Sequence, residues 1–592
     1  SCILASATNK SCIYIGSCQT ARTAKNTLAL WVLIAERTLF TLSVVNYSIN
    51  MNPDQKTSLR SKLFRHLDGI VISPTAYALK KHGITDYLLQ NKKVELKELT
   101  TKFKANEGYL NIALRGLCSQ GWLIQHVDNH NNTISYETNE ESEIAFNYFY
   151  LFEDVTDLLQ MSEDYHPRKF EIEPFLKLES IYKKFKTNYG IELSQEKSRK
   201  KIEEQILTHI EGVIVGPTLV HLGITGMFHK YFMETRFRPE EFHENHQEFD
   251  KLLKILTQLG WFDEKNGAYA FTEIGLFFAK RASAYGVTVS YIPTLRKLDN
   301  LIFGDPLILK NLATGSEEIH VDREMNIWGS GGAHSSYFKV VDEIIIDLFN
   351  KPIEEQPKGI LDMGCGNGAF LQHLFSVIES QTHRGTILDE YPLKIIGVDY
   401  NEAALKVSKA NLIQSDIWAK IIWGDIGNPA LLALDLKENY DIELGELLNV
   451  RTFLDHNRIW QEPQTNSSRV SSSTGAYAYE GKRIDNNLVA ESLKEHIGKW
   501  TPYVEKFGLL LIELHTVKPD LVAQNMGKTA ATAYDLTHGY SDQYILEVDE
   551  FIDIIQEAGL IPDMNKFRKF PNSDFATVSI SLLKSKNAQQ CV

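Results

Sequence analysis

The chain has 592 residues, 43% of them apolar and 23% charged, with 76 acidic against 62 basic side chains and a formal net charge of −14. That length holds several domains and a large core, and the composition is that of an ordinary globular protein. The acidic balance argues against nucleic acid as the main partner, because a phosphate backbone demands a basic face. Six cysteines (Cys2, Cys12, Cys18, Cys118, Cys365, Cys591) form no CxxC pair and no zinc-like spacing. A reducing, cytoplasmic setting fits them.

Residues 1–50 read as a separate N-terminal segment. Asn26 to Asn50 is apolar-rich, but Glu36 and Arg37 interrupt it, so no run of about 18 apolar residues is left to span a membrane. No small-residue cleavage site marks a secretory signal. Met51 opens a more ordinary run and is a candidate natural start; the alternative is a chain cut from something larger.

An internal repeat follows. His66-Leu-Asp-Gly-Ile-Val-Ile-Ser-Pro-Thr75 aligns without gaps on His209-Ile-Glu-Gly-Val-Ile-Val-Gly-Pro-Thr218. Each copy is followed by Gly-Ile-Thr (Gly83, Gly223) and later by Gly-Trp (Trp122, Trp261) leading into a short hairpin. The second hairpin carries Lys265-Asn-Gly, a tight-turn signal. Helices ahead of a two-stranded wing resemble the winged-helix domains fused in front of many small-molecule methyltransferases. The reading is one module over 51–150, a helical connector over 151–200 and a second module over 201–310. The two modules are expected to cover an active site or to mimic a dimer within one chain. The basic run from Lys183 to Lys201 suits either an acidic partner or a solvated helical face.

Residues 311–592 carry the chemistry. Asn326-Ile-Trp-Gly-Ser-Gly-Gly-Ala-His334 is a candidate lid, with His334 and Tyr337 within reach of a site. Gly359 to Phe370 (GILDMGCGNGAF) reads as a buried strand, an acid (Asp362), a glycine turn and a helix. Glycine is needed where backbone approaches a ligand or takes positive φ. Leu393 to Asp399 (LKIIGVD) is a second apolar strand ending in an acid, and Ala419 to Pro429 (AKIIWGDIGNP) a third, ending in Gly424-Asp425. Ligands of open parallel sheets sit beyond the carboxyl ends of the strands. There Asp399 would accept from ribose hydroxyls, Asp425 from an adenine amino group, and Asp362 would hold the loop or an amino acid end. Gly364, Cys365, Gly366, Tyr400 and Ile426 complete the candidate cofactor seat. The gap from Asp362 to Asp399 is 37 residues, against ~20 in the dinucleotide fingerprint, so Glu379 to Leu393 is expected to be an inserted loop.

The three strand ends in this order resemble class I S-adenosylmethionine (SAM)-dependent methyltransferases. The resemblance implies a Rossmann-like α/β core with a seven-stranded sheet, preceded by the tandem winged-helix-like, mainly α modules. Tyr440 to Val450 is then the fourth strand, Gly508 to Thr516 the fifth and Phe575 to Leu582 the last. Phe453-Leu-Asp-His-Asn-Arg458 follows the fourth strand, where the transferring methyl is faced, which makes His456 the catalytic candidate. Ser472 to Ile484 is a loop whose Tyr477 and Tyr479 are candidates to line a substrate pocket.

Together the lid segment, the glycine motif, the FLDHNR segment and the Gly-Ala-Tyr-Ala-Tyr-Glu-Gly loop resemble C-methyltransferase domains of polyketide synthase loading modules, the type associated with acetyltransferase-like domains. That resemblance implies a malonyl-type thioester on an acyl carrier protein, neighbouring domains of a megasynthase, and in some members a mononuclear metal as Lewis acid. On that view His456 is a ligand, with Asp425 and Gln461 or Gln543 completing an N/O set suited to Fe or Mn. The alternative is His456 as general base, assisted by Glu513. The rival functions are an O-methyltransferase for a free small-molecule hydroxyl and a non-catalytic SAM-binding winged-helix regulator.

Overall fold

The computed structural model describes residues 51–161, 172–310, 318–465 and 468–586, without the side chains of 172 and 331–336. The readings made on residues 1–50 lie outside the described residues, as does the side chain of His334.

Two long helices organise the first half: α1 (Pro53–Lys81) and α3 (Lys197–Ile224). Each carries one copy of the repeat, and they cross at its glycines. A Cβ on Gly69 would lie 2.4 Å from the Cα of His209, and one on Gly212 would lie 2.4 Å from the carbonyl oxygen of His66. The contact is reciprocal, so each copy's glycine admits the other copy's histidine. The side chains are exchanged as well. His66 stacks near Phe278 of the second module at 5.9 Å and hydrogen bonds Tyr285 at 2.8 Å. His209 packs against Trp122 of the first module and Phe152 at the start of the connector, 5.7 and 6.2 Å between ring centroids. The two modules therefore meet as a pseudo-two-fold pair within one chain. Among the described residues α3 is the one helix long and apolar enough to cross a membrane, and 83% of its most apolar stretch is buried against this protein.

Each module ends in a helix and a wing. In the first, α2 (Glu107–Ser119) precedes strands Ile124–Asp128 and Thr133–Glu137. In the second, α4 (His246–Gln258) precedes Phe262–Lys265 and Ala268–Phe271. Asn266 and Gly267 both take positive φ (55° and 72°), the pairing a two-residue hairpin needs. The connector is helical, over Glu153–Gln160 and Ile172–Lys186. Its basic run is neutralised by neighbouring acids: Lys183 pairs with Glu179, Lys184 with Asp154, Arg199 with Glu203, and Lys201 with Glu141. That favours the solvated-face reading over a basic dock.

The C-terminal half is a doubly wound sheet: β1 (Gly359–Met363), β2 (Lys394–Asp399), β3 (Ala419–Trp423), β4 (Leu448–Thr452), β5 (Leu509–Thr516), β6 (Leu560–Pro562) and β7 (Val578–Ser585). Their order across the sheet is β6-β7-β5-β4-β1-β2-β3, with two short strands attached at β5 and β7. β1 to β5 are parallel where they pair, and β7 runs antiparallel between β5 and β6. The strands at the centre are continuous apolar runs because both faces are covered, β1 and β5 being buried at every position.

Several boundaries differ from expectation. The fourth strand starts at Leu448, because a helix runs through Pro429–Tyr440 and a short turn follows it. The last strand is Val578–Ser585. The lid segment lies within α6 (Arg323–Phe349), which packs against α5 (Ser283–Ser290). A Cβ on Gly286 would lie 2.4 Å from the Cα of Gly329, so Gly329 serves a close helix crossing. Glu379 to Leu393 holds a helix end and a 3-10 turn, clipped down by buried Arg384, which donates to the carbonyl of Tyr391 and to Gln356.

Candidate cofactor and catalytic site

β1 ends in the glycine turn, which continues into α7 (Ala369–Gln381). Gly364, Gly366 and Gly368 take φ of 78°, 55° and 79°, a region that side chains rarely occupy. The N–H groups of Gly364 and Cys365 both donate to the carbonyl of Val398 at 2.8 and 3.0 Å, which ties the turn to β2. Asp399 closes β2 and accepts from the N–H of Gly366 and of Asn401, each at 2.9 Å. Burial raises its carboxyl above the usual range, against the pull of those donors. Asp362 is 2% exposed and its Oδ1 has no hydrogen-bond partner among the described residues. Burial and then the neighbouring Asp399 push it well above the usual carboxylate range. A Cβ on Gly366 would meet nothing within 4 Å. The turn thus borders open space beside an unsatisfied buried acceptor, which suits a ligand bringing a cationic amino group and hydroxyls. The Cys365 thiol is buried, pushed up to about 12 by burial and then Asp362, and lies 3.5 Å from Ser408 Oγ. It is a packing residue, not a nucleophile.

Beyond β3, Asp425 Oδ1 accepts the N–H of Gly427 at 2.8 Å, and the Ile426 carbonyl accepts the Trp500 indole at 2.8 Å. Tyr400 and Trp423 face each other 5.5 Å apart, both exposed. Strand ends β1, β2 and β3 thus bring the nine candidate cofactor residues to one edge.

Past β4 the chain turns through Asp455–Asn457. His456 Nδ1 hydrogen bonds Glu513 Oε1, on the adjacent β5. Glu513 also accepts the N–H of Leu514 at 2.8 Å and of Asp455 at 3.1 Å. A carboxylate can only accept, so His456 Nδ1 is the donor, and in the neutral ring Nε2 is the acceptor. Nε2 has no partner among the described residues. The His538 ring lies 5.4 Å from the His456 ring. It hydrogen bonds the Tyr534 carbonyl through Nδ1 at 2.9 Å, so its Nε2 is also an acceptor. Burial and nearby His456 bring His538 down to about 3, which keeps it neutral. Gln543 donates to Tyr291 OH at 3.1 Å, and Tyr291 lies 5.5 Å from His538. Tyr337 sits between Phe453 and Phe570 at the end of β4.

The proposed metal set does not assemble. Asp425 is occupied within its own loop, Gln461 is exposed and accepts from Lys499 at 3.4 Å, and Gln543 is turned to Tyr291. No group of three or more His, Cys, Asp or Glu among the described residues is arranged to hold a metal ion. The Fe or Mn expectation therefore has no donor set here. Tyr477 is buried, its OH donating to the Ile545 carbonyl at 3.0 Å and lying 2.8 Å from Ser473, and it lines a small cavity with Arg115, Asp535 and Gln543. Tyr479 lies under Lys310, 4.5 Å from ring to Nζ. Both belong to the loop that meets α2, where a Cβ on Gly108 would lie 2.6 Å from Ala478. Sequence reading singled out neither His538 nor Arg451, Asp455 and Trp500. An isolated histidine in a polar segment and an Arg-Asp pair across a strand end carry no spacing signal.

Three family models match in chain order: an AprA N-terminal domain over residues 59–125, an AprA winged helix domain over 211–305, and an AprA MT2-like domain over 318–581. No curated protein matches the chain. Among solved structures, the mitomycin 7-O-methyltransferase MmcR is 12% identical, with TM-score 0.37, 66% of this chain and 99% of that one covered. The CurJ carbon methyltransferase is 12% identical with TM-score 0.30, over 63% and 92%. An O-methyltransferase family 2 protein from Planctomyces limnophilus is 11% identical with TM-score 0.34, over 88% and 95%. With the matched catalytic domain laid over the sheet that carries the glycine turn and its strand-end acids, the chain is a SAM-dependent methyltransferase.

Proposed function

We propose that the chain methylates the acidic α-carbon of a malonyl-type thioester held on an acyl carrier protein, with His456 as the base. The observation that carries this reading is the His456–Glu513 pair beyond β4 and β5, with Nε2 bare and Nδ1 engaged. When bound, SAM supplies an electrophilic methyl on its sulfonium. His456 Nε2 takes the proton from the α-carbon, and Glu513 opposes the charge that then forms on the imidazole. Asp362 holds the amino acid end of the cofactor and Asp399 its ribose, while Asp425 and Ile426 border the adenine. Most of the rate comes from holding acceptor and methyl in line.

The carrier-bound carbon acid follows from the combined lid, glycine, FLDHNR and GAYAYEG segments, not from the pair alone. The place for such a chain is natural-product assembly. One observation favours a second reading, a free hydroxyl. No cluster suited to a metal gathers among the described residues, and an enolate needs more stabilisation than a phenolate does. Incubation with SAM and either malonyl-loaded carrier protein or a panel of free phenols, read by mass spectrometry, separates them. Methylene gain on the carrier alone supports the carbon acid; gain on phenols alone overturns it.

A further inference from the structure

Beneath His456 lies a set of buried groups that the reaction above leaves unused. Arg451 is the last residue but one of β4 and Asp455 lies just beyond it, both fully buried. Arg451 Nη1 donates to Asp455 Oδ1 at 2.6 Å, and His496 Nε2 bonds the same oxygen at 2.9 Å. His496 comes from α8 (Asn486–Val504), which also carries Trp500. The Arg451 guanidinium rests on the Trp500 ring at 4.1 Å, and the indole N–H of that ring donates to the Ile426 carbonyl. At the other end, the Asp455 N–H donates to Glu513 Oε2, whose other oxygen takes His456. The contacts run unbroken from the loop after β3 to the catalytic pair.

The geometry points to Trp500, Arg451 and Asp455 as positioning residues that tie the alignment of the His456–Glu513 pair to the cofactor loop at Asp425-Ile426. This rests on the reading of His456 as base. Asp455 is gripped from two sides, so its backbone cannot turn and its N–H stays aimed at Glu513. Arg451 is gripped loosely: Nε and Nη2 have no hydrogen-bond partner among the described residues. Its place is set by one carboxylate and one ring face, so a shift of Trp500 moves the guanidinium and, through it, Asp455. A purely structural ion pair would need neither the ring nor the indole bond to the cofactor loop.

The test uses the full chain with 13C-labelled histidine rings, titrated to saturation with S-adenosylhomocysteine. The His456 resonance is assigned by its loss in His456→Gln. The ligand should move that resonance in the unmodified chain. Trp500→Phe keeps a ring under Arg451 and removes only the indole N–H; it should shrink the movement at least about twofold, and Asp455→Asn likewise. An equal movement in a folded Trp500→Phe chain overturns the proposal even if Asp455→Asn fails to fold, and so does a His456 resonance that never responds. A wrong assignment of the base would appear separately, as turnover surviving His456→Ala.

Discussion

The two modules share a fold and put it to different uses, as α2 and α4 make plain. Aligned on Gly121-Trp122 and Gly260-Trp261, they bury equivalent positions: Leu110 with Phe249, Ala113 with Leu252, Leu114 with Leu253, Leu117 with Leu256. Their outer faces diverge. Arg115 is buried against Asp535 at 3.2 Å and donates to Thr516 Oγ1 and the Val517 carbonyl, both at 2.8 Å. Gly116 presses on Leu536. The equivalent Lys254 is exposed and pairs locally with Asp250. One repeat clamps the catalytic sheet and the other keeps a solvated face. A duplicated sequence thus supplies both halves of a pseudo-dimer, but its two equivalent helices do not both grip the sheet.

The acid at the helix crossing diverges too. Asp68 and Glu211 are equivalent in the repeat. Burial pushes Asp68 up to about 7, with Gln120 as a weak counter. Glu211 is also penalised by burial, but His66 and Lys62 outweigh it and hold the carboxyl down to about 2.

The largest effect should come from Arg115→Ala, which leaves Asp535 buried without its cation and should cost ~3–5 kcal/mol in chemical denaturation. A cost near zero would mean that α2 does not clamp the sheet. Next is Asp68→Asn. Because the folded pKa of Asp68 lies above its unfolded value of 3.8, its contribution is intact below that pH and is lost as pH rises toward about 7. The variant should therefore gain stability at pH 8, by at most about 4 kcal/mol, and little at pH 4. Glu211→Gln should behave oppositely, being costly at pH 7 and converging on the unmodified chain below about pH 2, since that stability is lost as pH falls from 4.5 through the folded pKa. Melting temperatures across pH that move together for the two variants would erase the contrast. The smallest effect is Lys254→Ala, within ~0.5 kcal/mol, as for an exposed residue.

Much of this architecture is legible in the chain because apolar strands ending in Asp362, Asp399 and Asp425 leave a linear trace. The His66/His209 repeat is legible for the same reason, each copy being one continuous helix segment. His456 and Glu513, 57 residues apart, were legible as a pair because both sit at the ends of neighbouring strands. Arg451, Asp455 and His496 behind them were not, since contacts across a sheet leave no spacing, and β4 began later than its apolar run suggested because Tyr440 still belongs to a helix. The segment Asn326 to His334 reads as a lid, but its Gly329 serves a helix crossing, since glycine density alone does not separate a mobile turn from a close approach. Loops are usually surface, so the burial of Tyr477, whose hydroxyl is held by Ser473 and Ile545, left no trace in its segment.

The most direct test is intact-protein mass spectrometry of malonyl-loaded carrier protein with SAM, comparing the unmodified chain with His456→Ala and Glu513→Gln. A methylene gain that falls ~10²–10⁴-fold in His456→Ala, and less in Glu513→Gln, with SAM affinity unchanged, is the predicted result. Full turnover in His456→Ala would contradict the account.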